Sequence, residues 1–212
     1  MPQQGILAVL NDLDDTADRA AYEDWYQQDH LPDRLAIPGF RHARRYRRLE
    51  GAAQEYFTFY ETAGPEVLRS PAYLARLAAP TPGTVTMMRH FRAMCRSICT
   101  VAADAGTGTG GLVAVAGAEA VLPTAEAAPL LAALLGHGAL SRARLWTAAE
   151  DVAVNPEATL RPGQDARLGT ILLLEGTDAA LLREAAARTA ATLGLAGPAG
   201  LYTLLHARDA TP

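Results

Sequence analysis

The chain has 212 residues, half of them hydrophobic and 20% charged, with a net charge of -4. That is enough apolar material for one core or two of about 100 residues each, and it excludes wholesale disorder. The acidic balance leaves no global basic field for nucleic acid or an anionic membrane, and because all nineteen basic residues are arginine, a Schiff-base lysine is excluded too.

Ile6-Leu7-Ala8-Val9-Leu10 is a short apolar run ended by Asn11-Asp12, and it reads as a strand buried on both faces. Thr16 can cap a helix from Ala17 to His30, which Pro32 interrupts because it lacks a backbone donor. Pro38-Gly39 is turn chemistry, Phe40 to Leu49 suits a strand, and the aromatic run Gln54 to Thr62 predicts another. Gly64-Pro65 opens a second helix to about Ala79, and Val85 to Val101 follows as a long strand. The order is β-α-β-β-α-β, a ferredoxin-like unit.

The second half repeats it. Strands are expected at Leu112 to Ala116, Leu140 to Ala148, Gly169 to Glu175 and Gly200 to His206, with helices at Ala125 to Leu135 and Asp178 to Leu193. Phe40, Ala43, Arg44 and Tyr46 match Leu140, Ala143, Arg144 and Trp146 at one fixed offset, and Glu61, Leu68 and Arg69 match Glu175, Leu182 and Arg183 at a larger one. The difference is an insertion around Asp151 to Gln164, read as a loop. These matches predict an α+β fold: two tandem ferredoxin-like units, 1–104 and 112–212, forming one intrachain α/β barrel, with residues 105–111 as a glycine-rich linker. The linker satisfies G-x-G-x-x-G on paper, but it precedes a strand instead of opening a helix, so no dinucleotide site is expected.

Cys95 and Cys99 would lie on one strand face about 13 Å apart, beyond disulfide reach, and read as small buried hydrophobes. The histidines His30, His42, His90, His137 and His206 show no metal-ligand spacing, and neither Ser70, Ser97 nor Ser141 sits in a nucleophile motif. No metal and no cofactor are expected. The first residues lack a basic n-region, and the longest apolar stretch, Gly110 to Leu140, is broken by Glu119, Pro123, Glu126 and Pro129. A soluble cytoplasmic protein with no membrane or nucleic-acid partner is the expectation. The five arginines of Arg41 to Arg48 alternate between two strand faces and read as solvated or salt-bridged.

The segment Tyr22 to Tyr46 carries the chemistry. His30 is the candidate general base, because a histidine near neutral pKa beside aromatic walls suits proton abstraction from an activated carbon or phenol. The competing reading is a histidine that caps the interrupted helix or bonds a backbone carbonyl. Tyr22, Trp25, Tyr26, Arg34 and Tyr46 are the candidate substrate-binding residues; Arg34 can orient a carboxylate or enolate, or pair with Asp33 or Asp29. The helix of the second half, AEAAPLLAALL, offers no such groups. One functional pocket per chain is therefore expected, in the first unit, with the second unit structural.

The pattern Trp25-Tyr26, His30-Leu31-Pro32, Arg34, Pro38-Gly39-Phe40 and Arg44-Arg45-Tyr46 resembles the EthD-like branch of the dimeric α/β-barrel superfamily. Ser70-Pro71-Ala72-Tyr73 and Pro80-Thr81-Pro82 are similar to a bacterial group within it. The resemblance implies a barrel of two ferredoxin-like units and a small-molecule pocket between helices and sheet. It implies a cofactor-independent enzyme acting on a small aromatic or polyketide-like compound (an isomerase, cyclase or monooxygenase type). The alternatives are a non-catalytic ligand-binding module and a haem-handling protein. Further oligomerisation of the closed barrel is open.

Overall fold

The computed structural model describes residues 4–137, 140–149, 155–197 and 199–211. Eight strands alternate with helices: β1 Gly5–Leu13, β2 Phe40–Gly51, β3 Tyr56–Thr62, β4 Phe91–Gly106, β5 Leu112–Ala118, β6 Leu140–Ala148, β7 Thr170–Gly176 and β8 Ala199–Asp209. The helices are α1 Arg19–Trp25, α2 Leu31–Leu35, α3 Pro71–Ala78, α4 Pro82–Met88, α5 Ala127–Leu134 and α6 Ala179–Leu193. The strands close in the order β1-β3-β2-β8-β5-β7-β6-β4, with every pair antiparallel. Each half contributes a ferredoxin-like sheet, and the β2–β8 and β4–β6 ladders weld the two sheets into one α/β barrel.

Closure follows from patterning. On β1, Ile6, Ala8 and Leu10 turn inward, while Leu7 and Val9 face the helices. Both faces are apolar, so the sheet needs cover on both sides. The result is three cores. One fills the barrel with side chains from both halves, including Phe57, Phe59, Trp146, Ile171 and Leu173. A second lies under the first-half helices and is rich in aromatics. The third lies under α5 and α6 and is almost wholly alanine and leucine. Cys95 and Cys99 are buried free thiols inside the barrel, and burial pushes them up to about 11 and about 12.

A charged quartet sits inside the barrel, away from the β2–β3 and β6–β7 hairpin turns. Arg144 donates to Glu61 at 2.6 Å and to Glu175 at 2.7 Å, and Arg44 donates to Glu175 at 3.0 Å. These are the residues that the two offsets pair, so each half supplies one arginine and one glutamate.

Several element boundaries differ from the sequence expectation. The first helix is capped by Asp18, which accepts from the amides of Ala20 and Ala21, because Thr16 is engaged by Asp14 in the preceding turn. Pro32 does not end the helix. The chain widens into a π-turn at Tyr26–His30 and resumes as α2. The expected second helix is a 3-10 turn, Pro65–Arg69, followed by α3, with Ser70 capping and Pro71 at the first helical position. Thr81 and Pro82 start α4 in the same way, so residues 85–88 are helical and β4 begins only at Phe91. In the insertion, residues 151–154 lie outside the described residues, and Pro156–Leu160 is a 3-10 turn instead of open loop.

Candidate functional site

The π-turn builds the site. Proline has no amide to donate, and its ring crowds the carbonyl four residues back. Here the ladder shifts one residue, with the Leu31 amide donating to the Tyr26 carbonyl. Such widened turns rotate the following side chains. His30 is thereby swung inward and is only 7% exposed. Its ring centroid lies 4.6 Å from that of Trp25 and 4.9 Å from that of Tyr26. Burial, then the positive charges of Arg34 and Arg45, holds the imidazole well below its ordinary range. It is neutral at pH 7, and its Nδ1 has no hydrogen-bond partner.

Facing it from β3 is Tyr60. Burial pushes this phenol well above its ordinary range, so it keeps its proton, and its Oη, close to the Tyr26 hydroxyl, makes no hydrogen bond of good geometry. Two unpartnered polar atoms thus line one cavity of about 30 Å³ between helix and sheet, room for one or two water molecules. Tyr26, Tyr73, Met88, Phe91 and Met94 supply its apolar walls.

Arg34 enters from α2, 3% exposed. Its Nη1 lies 3.3 Å from Asp33, which also binds Arg76, and its Nη2 bonds Glu157. Glu157 belongs to the 3-10 turn between β6 and β7, so the second half covers the pocket of the first. Arg161 of the same segment pairs with Asp165, and Arg96 of β4 donates to the Tyr73 hydroxyl at 2.8 Å.

Of the residues singled out in the sequence, Tyr26, His30 and Arg34 line this cavity. Trp25 is the ring behind His30. Tyr22 sits one layer back, packed on Tyr56 and Phe91, with its Oη accepting from Asn11 at 3.3 Å. Tyr46 is not brought to them. Its position on β2 turns it into the barrel, where it stacks on Phe57 and Phe59; the neighbouring Arg45 faces the helices, ringed by Tyr22, Tyr26 and Tyr56 at 4.3–4.9 Å and bonded to Glu23. Tyr60, Tyr73, Arg96, Glu157 and Arg161 escaped the sequence reading. Strand alternation could have assigned Tyr60 and Arg96 to the helix-facing side, but nothing local in the sequence ties Glu157 to Arg34.

A second cavity differs in kind. A groove of about 200 Å³ runs between α6 and strands β5 and β8, walled largely by alanines such as Ala114, Ala186 and Ala190, with the Glu50–Arg183 pair at its rim. It is larger but has no converging polar groups. Among the described residues, no cluster of three histidine, cysteine or carboxylate side chains is arranged to hold a metal ion.

The chain matches no protein-family model and no curated protein. Solved structures of the same fold do exist. An anthrone oxidase-like protein superposes with a TM-score of 0.67 at 11% identity, over 100% of this chain and 95% of its own. A candidate monooxygenase of Fusobacterium nucleatum subsp. nucleatum gives 0.56 at 6% identity over 98% and 95%, and a heme-binding protein of Thermus thermophilus gives 0.51 at 14% over 97% and 92%. The fold is therefore that of the dimeric α/β barrels, with both ferredoxin-like sheets drawn from one polypeptide. Haem does not fit the His30 site: the Trp25 and Tyr26 rings pack against the imidazole, with centroids 4.6 Å and 4.9 Å from its own.

Proposed function

We propose that the first-half pocket is the active site of a cofactor-independent enzyme that removes a proton from a small, activated aromatic or polyketide-like compound, with His30 as the base. The observation that carries this reading is the pair of unpartnered polar atoms, His30 Nδ1 and Tyr60 Oη, in one aromatic-walled cavity. Other buried polar atoms of the described residues also lack a partner, but only these two belong to residues that line a common cavity. The neutral imidazole is available as an acceptor, and the protonated phenol is available to donate to the oxygen on which charge develops.

The depressed basicity of His30 restricts the substrate. A weak base removes a proton only where the resulting anion is itself stabilised, as in a phenol or a ketone flanked by aromatic rings. The anthrone oxidase-like neighbour supports this substrate class. The reading takes the chain as a tandem-duplicated, EthD-like protein. The equivalent placement of Arg44 with Arg144 and of Glu61 with Glu175 supports the duplication.

Anthrone in deuterated buffer, followed by proton NMR, tests the assignment. The protein should accelerate exchange at the activated carbon by about 100-fold or more, the usual reach of a positioned general base. His30→Gln should abolish the acceleration and Tyr60→Phe should reduce it. Exchange at the buffer rate with wild-type protein, or exchange unchanged in His30→Gln, would refute the reading.

A further inference from the structure

Arg96 is a cation in the wrong place for a purely structural residue. It lies on the helix-facing side of β4, 9% exposed, at the cavity that holds His30. Its guanidinium donates to the Tyr73 hydroxyl, and among the described residues no carboxylate lies within ion-pair distance. A buried charge without a counter-ion carries a desolvation cost that a neutral hydroxyl does not offset. Its surroundings sharpen the point. Arg34, Arg96, Arg161 and Glu157 line the cavity, and Asp33, Asp165 and Arg76 are the ion-pair partners around them. Asp33 is shared between Arg34 and Arg76, and Arg161 has Asp165 to itself. Among the described residues, Arg96 is the lining arginine without a carboxylate partner.

Glu157 differs from the other two carboxylates. It is not part of the wall built by the first half, but arrives on a short 3-10 turn from the β6–β7 connection and lines the cavity, 4% exposed. Its carboxylate sits on Arg34 within the field of Arg96 and Arg161. That is the position an anionic ligand group would take.

We propose that Arg96 and Arg34 form an anion-binding pair, that the natural substrate is an aromatic compound bearing an ionised carboxylate, and that this carboxylate replaces Glu157 as the turn moves outward. This rests on the proposed active site and adds the charge of the substrate to it. Arginine suits the role because its planar fork matches a carboxylate. The aromatic walls of Tyr26, Tyr60 and Tyr73 suit a flat ring. The outward movement is required in any case, because the cavity of about 30 Å³ cannot hold an aromatic ring while Glu157 is in place.

Calorimetric titration with 2-naphthoate and with its neutral counterpart, 2-naphthalenemethanol, tests the proposal, alongside melting curves of each variant. Wild-type protein should bind the acid at least about tenfold more tightly than the alcohol, the value of one charge-assisted hydrogen bond. Glu157→Gln should tighten the acid several-fold, because the internal competitor is gone. Arg96→Met should erase the preference for the acid and also melt about 2 °C or more above wild type, since an apolar chain replaces an unpaired charge. A merely structural arginine would give the opposite shift. Equal binding of acid and alcohol would overturn the anion pair and leave the active site standing. Loss of stability in Arg96→Met with unchanged affinity for the acid would make Arg96 structural and overturn the proposal. Failure of both probes to bind wild-type protein and Glu157→Gln alike would remove the ligand pocket and the proposal together.

Discussion

His30 shows how little a residue's identity says before its surroundings are known. In the sequence it is a histidine two residues before a proline, and both a structural and a catalytic reading are open. The fold buries it beside two arginines, and this fixes its charge. The same burial ties stability to pH. The unfolded histidine titrates near 6.5, whereas the folded one does so well below. As the pH falls through ~6.5, the unfolded chain takes up the proton first. The stability that neutral His30 contributes is therefore present above ~6.5 and is lost as the pH drops towards the folded value. Wild-type protein should lose up to ~1.4 kcal/mol per pH unit from this residue alone. Urea titrations between pH 7.5 and 5.5 should show a shallower fall for His30→Gln. Parallel pH profiles for the two proteins would mean that the imidazole is hydrated in the folded state.

Among the elements, the contact between α4 and α1 holds the aromatic wall in place. Gly83 opens α4, and a methyl group there would stand 2.7 Å from the Trp25 ring and 2.6 Å from the Asp29 carboxylate. Two effects compete in Gly83→Ala. Alanine favours helix by up to about 1 kcal/mol, whereas forcing side chains apart in a packed site costs about 1–3 kcal/mol. Crowding should win, because Asp29 is also bound by Thr81 at 2.7 Å and cannot yield freely. Lower stability in urea with a shifted tryptophan emission is the expected result, and an unchanged spectrum would show that Trp25 does not feel α4. This contact was hidden in the sequence, which reads Val85 onward as strand because β-branched and apolar residues dominate there. What overrode them was two local stops, Thr81-Pro82 starting a helix and the turn before Phe91 ending it. The strands and the paired offsets were legible because two-sided burial imprints continuous apolar runs. The pocket was legible only on the side written in consecutive residues, from Trp25 to Arg34. Tyr46 was misassigned to it because strand alternation, not proximity along the chain, decides which way a side chain points.

At the scale of the whole molecule, the barrel has no free edge, and its halves meet through β2–β8 and β4–β6. Cut after β4, the first half would expose both β2 and β4, together with the aromatic inner face of its sheet. Residues 1–106 alone should therefore associate as a homodimer, because a second copy can present β4 where β8 now stands. The inner charges permit this: Arg44 of each copy would meet Glu61 of the other, as Arg44 now meets Glu175 and Arg144 meets Glu61. Light scattering on the purified fragment should report about twice the monomer mass. A folded monomer would show that the first sheet tolerates bare edges and an uncovered face.

The bond between Arg34 and Glu157 joins residues 123 positions apart. A ribosome thus completes all four strands of the first half, and the helices that carry His30, well before it synthesises the turn that covers them. Until that turn is made, nothing from the second half covers the first-half residues of the cavity. Covering comes late because contacts of such separation in sequence are slow to form. Chain order thereby sets a schedule: the wall that holds His30 is made first, and the turn that covers it comes only after β6 has been synthesised.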